Sequence, residues 1–293
     1  MANLSKAEWL ALEKKALELR KLCVQTTVWA GSGHFGGGMS VMDLLTVLYH
    51  KYLNIKVDEP KWDDRDRFIL SKGHAAIAYA PVLCDKGFND VEMLKSFNLS
   101  GSKMGMHLDS NKVVGVDAST GSLGHGPSIA AGTALAARLM NKDFLTYVVT
   151  GDGELGEGSC WEGFMTMNHY NLSNCIVFID RNHNMIDGNT EDVMKLEPLA
   201  DKMTAFGFNT IVVDGNNIGE LCDAIDVAIE RAKTPQAPTC ILMDTKKGAG
   251  IKSIEGDYTW HYGAIDDALF EKFNNELDAD YAARVARAEK EGK

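Results

Sequence analysis

Apolar residues recur at helical spacing near the start of the chain. Ser5 and Glu8 have the spacing of a capping box, which is typical of a helix N-terminus. Apolar positions recur near helical spacing at Leu4, Trp9, Leu12, Ala16, Leu19 and Cys23. This pattern predicts an amphipathic helix over residues 5–24, and a second helix is predicted from Val41 to Tyr52.

Five short apolar runs, separated by helical patterns, occupy the rest of the chain. They are Phe68–Leu70, Leu145–Thr150, Cys175–Asp180, Asn209–Val213 and Thr239–Asp244. Strands that alternate with helices pair in parallel, because each helix carries the chain back across the sheet. The predicted fold class is therefore α/β, with a mostly parallel central sheet and helices on both faces.

The remaining segments complete this outline. The helical pattern from Ser128 to Met140 is rich in Ala and Gly, which permits close approach of another backbone, within the core or across a subunit interface. Residues 246–264 are predicted as a loop, and a helix resumes at Asp266–Asn275. We expect a single domain over residues 1–293, with N-terminal helices in 1–60 and a C-terminal helical tail in 266–293.

Composition and charge exclude several functional classes. The chain has 293 residues, a formal net charge of −11 and basic residues spread along its length, which argues against nucleic-acid binding. It has no apolar run of the roughly 18 residues that a membrane span needs, and its start lacks the features of a signal peptide, so we expect a cytoplasmic protein without membrane contact. The six scattered cysteines are expected to be reduced and mostly buried.

The strongest local signal is Gly151-Asp152-Gly153, which directly follows a predicted strand, together with Asn182 after the next strand. Because ligands bind in the crevice at the carboxyl ends of parallel strands, Asp152 and Asn182 are expected to meet there. A carboxylate and an amide oxygen suit Mg2+, and the glycines let backbone N–H groups approach a diphosphate. The pair predicts a metal–diphosphate site.

Two other interpretations exist for these segments. The first is structural: a turn at Gly-Asp-Gly and a helix cap at Asn182. The second is an EF-hand calcium loop, since Asp180, Asn182, Asn184 and Glu191 fall at loop positions one, three, five and twelve. Met185 stands where the EF-hand turn needs Gly, and the preceding run CIVFID is typical of a strand, which argues against that loop.

Five histidines lie in or beside glycine-rich turns. They are His34, His74, His107, His125 and His261. A single such histidine is more often structural or at the surface, whereas five in glycine-rich turns are harder to explain in that way.

In chain order, SGHFGG, LSKGHA, GMHLD, STGSLGHG, GDGELGEG, RNHNMIDG and WHYG resemble the amino-terminal half of the transketolase family. The resemblance extends from about Leu4 to Ile265. It implies the thiamine diphosphate-binding fold. Related deoxyxylulose phosphate synthases share some of these signatures but fit the surroundings of His107 less well.

The resemblance also implies roles for individual residues. Asp152, Asn182 and the backbone carbonyl of Asn184 would bind Mg2+. Ca2+ or Mn2+ could substitute for it. The residues matched to thiamine diphosphate binding are His74, Gly121, Leu123, Gly151, Asp152, Gly153, Asn182 and His261. Those matched to substrate and catalysis are His34, His107, His261 and Glu157, the last at a subunit interface, where it pairs with an acid of the neighbouring active site.

The chain departs from the common family pattern at three positions. Phe35 and Leu108 stand where the family commonly has Pro, and His125 stands where Gln is common. These changes leave the predicted metal site intact but affect the expected acceptor preference.

In transketolases the glutamate that activates the cofactor belongs to a second, pyrimidine-binding domain, for which this sequence has no counterpart. The resemblance therefore implies the N-terminal subunit of a two-subunit transketolase that needs a pyrimidine-binding C-terminal partner, in a heterotetramer, and moves a two-carbon ketol unit from a ketose to an aldose. Pentose phosphates are the default substrates, with sulfonated or branched sugars open. The alternatives are a subunit of a deoxyxylulose phosphate synthase-like or 2-oxoacid-decarboxylating enzyme, and a non-catalytic scaffold.

Overall fold

Five parallel strands form the centre of the molecule. The computed structural model describes residues 4–292, so the predicted domain limits at residues 1 and 293 lie outside the described part. The strands are β1 Arg67–Leu70, β2 Thr146–Gly151, β3 Cys175–Arg181, β4 Asn209–Asp214 and β5 Thr239–Asp244. All five predicted runs are therefore strands, with ends shifted by at most one residue.

The strand order in the sheet is β1-β2-β3-β5-β4, and every neighbouring pair is parallel. Strands β2 and β3 are direct neighbours, with Gly151 opposite Asp180 in the register. The chain segments that follow these two strands therefore leave the sheet side by side. This adjacency, which the sequence only implied, sets the position of the site described below.

Helices cover both faces of the sheet. Their bounds are α1 Lys6–Ala30, α2 Phe35–Ser40, α3 Met42–Val47, α4 Ala76–Asp85, α5 His125–Leu139, α6 Gly158–His169, α7 Thr190–Val193, α8 Leu199–Ala205, α9 Ile218–Ala232 and α10 Asp267–Glu291. Alternate strand residues point to opposite faces, so Phe178 joins one apolar core and Val177 and Ile179 join the other. The predicted α/β class is confirmed.

The first helix begins where the sequence places it. Ser5 accepts a hydrogen bond from the backbone of Glu8, whose side chain in turn accepts one from the backbone of Ser5, so the capping box is present. Helix α1 continues beyond the predicted end, to Ala30, because Gly31 provides the left-handed residue that terminates it.

The predicted helix from Val41 to Tyr52 ends at the predicted residue, but its predicted start is wrong. Helical structure already starts at Phe35, pauses at Val41 and finishes in a π-helical turn over Leu48–Tyr52. Residues 35–40 are buried throughout, three of them glycines, and their helical form depends on packing because glycine is a poor helix former. The glycine run concealed this helix at the level of sequence.

The small residues of α5 pack closely within the chain. Ala130, Ala134 and Ala137 are buried, and a Cβ built on Gly163 of α6 would lie 3.0 Å from Pro127 Cβ of α5. On the opposite side of α5, a Cβ built on Gly132 would meet nothing within 4 Å. The buried side of the helix thus accounts for close packing in the core, while its other side faces outwards.

The C-terminal helix α10 is longer than the predicted stretch of Asp266–Asn275 and is anchored by buried charges. Arg284 Nη1 lies 3.1 Å from Asp43 Oδ1, and Arg20 forms two hydrogen bonds of 3.0 and 2.7 Å with the same carboxylate. Because Arg20 and Asp43 are almost fully buried, this cluster joins α1, α3 and α10 through ion pairs shielded from water.

Two expectations about the chain as a whole can be compared with residues 4–292. None of the helices in this part combines the length and apolar character that crossing a membrane requires. All six cysteines lie in this part, and each is free and buried. Burial raises the pKa of the Cys160 and Cys175 thiols to about 12, so they remain protonated and unreactive.

Candidate functional site

A cavity of about 230 Å3 opens at the carboxyl ends of β2 and β3. Its walls combine the segments after β1, β2 and β3 with two glycine-rich loops. The lining residues are His34, Gly37, Lys72, His74, His107, Gly121, Leu123, Gly151, Asp152, Gly153, Glu154, Asn182, Asn184, Met185, Ile186, Lys247 and His261. Larger clefts, of about 900 and 590 Å3, lie elsewhere on the surface and contain no histidine.

Asp152 lies at the floor of this cavity and is buried. Its Oδ1 accepts a hydrogen bond of 2.8 Å from the backbone of Gly153, and its Oδ2 accepts one of 2.7 Å from the backbone of His183. Arg181 Nη1 lies 3.1 Å from the same Oδ2. Burial and the neighbouring charge of Asp180 raise the pKa of Asp152, which means that the carboxylate gains from a nearby cation.

Asn182 and Asn184 bring amide and carbonyl oxygens to the same cavity. Asn182 Nδ2 donates to Asp180 Oδ2 at 2.9 Å, while its Oδ1 accepts a 3.2 Å hydrogen bond from the Asn184 backbone. Asn184 Oδ1 is buried without a hydrogen-bond partner. A buried, unpartnered oxygen among other oxygens is the environment that a hard cation prefers.

The donor set fits a divalent cation held partly by phosphate. Within residues 4–292, no cluster of three or more His, Cys, Asp or Glu side chains is arranged to hold a metal ion. A cation here would depend on one carboxylate, on neutral amide and carbonyl oxygens, and on the ligand. Mg2+ is commonly bound this way, because it retains water and phosphate oxygens in its coordination shell.

Four of the histidines lie together on one side of the cavity. The ring centroid of His34 lies 5.2 Å from that of His74, 5.3 Å from that of His261 and 6.5 Å from that of His107. Four imidazoles from four separate turns thus converge, although they are distant in sequence. The structure brings together the four histidines predicted for the site, whereas His125, to which no role was assigned, is exposed at the start of α5.

These imidazoles are neutral near pH 7. Burial, with smaller contributions from His107 and Lys247, lowers the pKa of His34 to about 4, and burial next to Lys247 lowers the pKa of His261 to about 3. Burial also lowers the pKa of His74 well below its usual value. A neutral imidazole can donate one hydrogen bond and accept another, which suits contact with phosphate or hydroxyl oxygens.

Two buried lysines in the cavity wall were not singled out as site residues from the sequence. Lys247 Nζ lies 3.2 Å from the Asn184 carbonyl oxygen and 3.1 Å from His261 Nδ1. Lys72 donates to the Gly37 carbonyl at 2.8 Å and pairs with Asp180. Both add positive charge where a diphosphate would lie. The clusters SKGH and TKKG, in which a lysine precedes a glycine turn, are the signal that could have identified them.

The glycine-rich turns let backbones approach closely around the cavity. A Cβ built on Gly73 would lie 2.9 Å from the Gly121 nitrogen, and one built on Gly121 would lie 3.1 Å from the His107 ring. Gly121 also has a φ of 150°, which side-chain-bearing residues rarely adopt. A larger residue at position 121 would displace the His107 ring, and one at position 73 would displace the turn at Gly121.

Glu157 is placed differently from the other predicted residues. It is exposed at the N-terminus of α6 and does not line the cavity. Glu154, three residues earlier, does line it and is buried, accepting hydrogen bonds of 2.8 Å from Gly124 and 3.0 Å from Gly151. It also pairs with Ser71. Glu154 thus joins the loop before α5 to the end of β2, and the sequence analysis missed it.

The EF-hand interpretation does not hold. The segment before Asn182 is strand β3, whereas an EF-hand requires a helix there. Glu191, which would complete such a loop, pairs with Arg181 at 3.0 Å. The alternative in which Asn182 caps a helix also fails, because Asn182 follows β3 and no helix begins at that point.

Comparison with known proteins finds similar sequences along most of the chain. Residues 12–287 match the family described as transketolase, thiamine diphosphate binding domain. The chain is 37% identical over 280 residues to one of the subunits of the apulose-4-phosphate transketolase from Phocaeicola vulgatus, covering 96% of this chain and 97% of that protein. It is also 37% identical over 282 residues to the 6-deoxy-6-sulfo-D-fructose transketolase subunit SqwG of a Clostridium species, covering 96% and 97%.

Solved structures show the same relationship. The transketolase from Leishmania mexicana is similar with a TM-score of 0.80 and 29% identity, over 95% of this chain and 46% of that one. The transketolase of Campylobacter jejuni gives a TM-score of 0.84 and 27% identity, over 94% and 45%. The chain therefore spans about half the length of these solved transketolases and nearly all of the subunit proteins above.

Proposed function

The chain belongs to the transketolase family, and from that premise we propose that it is the N-terminal, cofactor-diphosphate subunit of a two-subunit transketolase. The proposal is supported by its match along almost the full length of two proteins named as transketolase subunits. The same similarity does not favour a deoxyxylulose phosphate synthase-like enzyme, a decarboxylating enzyme or a scaffold. A single domain over residues 1–293 is part of this proposal.

The observation that carries the proposal is the arrangement of Asp152 and Asn182 in one cavity with four imidazoles. In this arrangement Asp152, Asn182 and the Asn184 carbonyl would hold Mg2+, or Ca2+ or Mn2+ in its place. Gly151 and Gly153 would leave room for the diphosphate of thiamine diphosphate. Once bound, the cofactor supplies a nucleophilic carbon that accepts a two-carbon unit from a ketose.

The chain's own residues would orient the ligands and handle protons. His74 and His261, with Lys72 and Lys247 beside them, would donate hydrogen bonds to the diphosphate. His34 and His107 would contact sugar hydroxyls, and neutral imidazoles can take and return protons there. Gly121 and Leu123 would lie against the cofactor rings.

The partner in this proposal is a pyrimidine-binding C-terminal subunit that supplies the acid needed to activate the cofactor. Two such pairs would form a heterotetramer, with the exposed Glu157 at an interface between copies, where it would pair with an acid of the neighbouring site. Six free, buried cysteines are consistent with a cytoplasmic location, where thiols stay reduced. The substrates would be sugars or sugar phosphates. The two subunit relatives are named for apulose-4-phosphate and for a sulfosugar.

The experiment is reconstitution of the purified chain with the product of a neighbouring pyrimidine-domain gene, followed by assays of ketol transfer among pentose phosphates, sulfosugars and branched sugars. Transfer is expected only with both subunits, thiamine diphosphate and a divalent cation. Robust transfer by the isolated chain would refute the two-subunit proposal. His107→Ala should raise the KM for sugar while leaving cofactor affinity within about threefold of wild type, because this residue faces the predicted substrate side.

A further inference from the structure

Asp180 is a buried carboxylate that the proposed function does not use. It is the penultimate residue of β3, has no exposed surface and lies two residues before Asn182. It does not line the cavity. Burying a charged carboxylate costs free energy unless it is paired and hydrogen-bonded, so Asp180 must either stabilise the fold or orient a neighbouring group.

Four donors surround Asp180 and come from four separate parts of the chain. Ser40 Oγ donates to its Oδ2 at 2.7 Å, and Asn182 Nδ2 donates to the same oxygen at 2.9 Å. Lys72 also donates to Oδ2, and Thr245 donates to Oδ1. Lys72 pairs with Asp180 as an ammonium group, which can only donate, and hydroxyl groups donate to both carboxylate oxygens, so Asp180 is left to act as a hydrogen-bond acceptor.

This environment determines which end of the Asn182 amide faces the cavity. An amide presents NH2 at one end and oxygen at the other, and the two ends have nearly the same shape. Since Asp180 can only accept, the NH2 end must point towards it, and Oδ1 must point away. Asn182 Oδ1 then lies on the side of the Asn184 backbone, in the cavity that contains Asp152.

We propose that Asp180 is a positioning residue that locks the Asn182 amide with its oxygen towards the divalent cation. A flipped amide would present NH2 to the cation, which cannot coordinate it. The inference rests on the proposed function for the identity of the site, and on the contacts above for the role of Asp180. It predicts that the orientation of the Asn182 amide depends on Asp180, whereas the orientation of a carboxylate at position 182 would not matter, because its two oxygens are equivalent.

Exchanging the two residues tests this dependence. We expect Asp180→Asn to weaken Mn2+ binding in the presence of thiamine diphosphate by about tenfold or more, and Asn182→Asp to weaken it because two carboxylates then face each other. The double variant Asp180→Asn/Asn182→Asp keeps the same net charge at the pair. It should recover affinity to within about threefold of wild type, since the carboxylate introduced at position 182 coordinates in either orientation and the amide introduced at position 180 can donate to it.

Mn2+ affinity is measured by electron paramagnetic resonance. Wild type is tested first as the isolated full chain and then with its partner, and the variants are measured in whichever of the two forms binds Mn2+. Circular dichroism checks that each variant is folded. The inference would be overturned if Asp180→Asn bound Mn2+ with wild-type affinity. It would also be overturned if the double variant lost at least as much Mn2+ affinity as the two single variants combined. Ser40→Ala is the matched control. It removes one donor to Asp180 without touching the amide and should change affinity by less than about threefold.

A measurement on the wild-type chain covers the case in which Asp180→Asn does not fold. In nuclear magnetic resonance spectra, the Asn182 side-chain amide protons, identified by their loss in Asn182→Asp, should exchange slowly with solvent. Rapid exchange would show that Asp180 does not hold the amide. If wild type binds no Mn2+ with thiamine diphosphate, the proposed function fails, and slow or rapid exchange still decides the role of Asp180.

Discussion

The backbone nitrogen of His183 lies 2.7 Å from Asp152 Oδ2, so the segment after β3 is hydrogen-bonded directly to the segment after β2. The two halves of the predicted metal site are thus joined through the side chain that would bind the cation. Asp152 therefore has a structural role in addition to its proposed role as a metal ligand, and a substitution would affect both.

Replacing Asp152 with Ala should abolish Mg2+-dependent binding of thiamine diphosphate, because it removes the only carboxylate among the proposed ligands. Isothermal titration calorimetry of the assembled complex measures this affinity. Asp187→Ala is the control, since Asp187 is an exposed carboxylate in the adjacent loop, and cofactor affinity should stay within about threefold of wild type. Unchanged affinity in Asp152→Ala would remove this residue from the site.

The lowered pKa of His34 makes a prediction about pH. Between pH about 6.5 and about 4, His34 takes up a proton in the unfolded chain but not in the native state. The contribution of His34 to the free energy of unfolding is therefore complete above pH about 6.5 and declines as the pH falls towards about 4. His34→Gln should therefore lessen the loss of stability on acidification, by roughly 1 kcal/mol after allowance for the partial exposure of the ring.

Urea denaturation at pH 7.5 and pH 5 compares wild type, His34→Gln and the exposed control His169→Gln. The stability difference between the two pH values should be smaller in His34→Gln than in wild type and unchanged in the control. An identical pH dependence in all three proteins would show that His34 can be protonated in the folded chain.

The buried cluster of Arg20, Asp43 and Arg284 predicts that two arginine substitutions in α10 lower the free energy of unfolding by different amounts. Arg284→Ala should lower the free energy of unfolding by about 3–5 kcal/mol, because Asp43 loses a buried partner. Arg287→Ala, three residues later, removes a more exposed ion pair of 3.5 Å with Asp214 and should cost less than about 1 kcal/mol. Urea denaturation measures both, and equal costs would contradict the importance assigned to the cluster.

Two glycines of α5 should respond oppositely to substitution by alanine. A Cβ on Gly126 would lie 2.2 Å from Ser71 Oγ, so Gly126→Ala must displace Ser71 and should destabilise the chain by more than about 1 kcal/mol. Gly132→Ala adds a methyl group in open space and should stabilise the isolated chain by up to about 1 kcal/mol through helix propensity. Thermal unfolding of the isolated chain tests the pair, and destabilisation by Gly132→Ala would contradict the open environment seen at this position.

Much of the fold was readable from local pattern. The five strands were predicted to within one residue, and Ser5 and Glu8 correctly placed the start of α1. Hydrophobic periodicity and capping residues act over a few neighbouring positions, and the sequence displays them directly. The helix at Phe35–Ser40 was missed because its glycines oppose helix formation, and its burial in the tertiary structure is what stabilises it.

Some features of the candidate site could likewise be predicted from the sequence, and others are seen only in the tertiary structure. The sequence by itself identified Asp152 and Asn182 as candidate oxygen donors and identified the glycine turns around the histidines, because each of these features stands out within a short stretch of residues. Only the tertiary structure decided that Lys72 and Lys247 enter the cavity, that Glu157 lies outside it and that Asp180 faces the Asn182 amide. Lys72 and Lys247 reach the cavity from segments far apart along the chain, and the direction in which each side chain points follows from packing, which a local sequence pattern does not show.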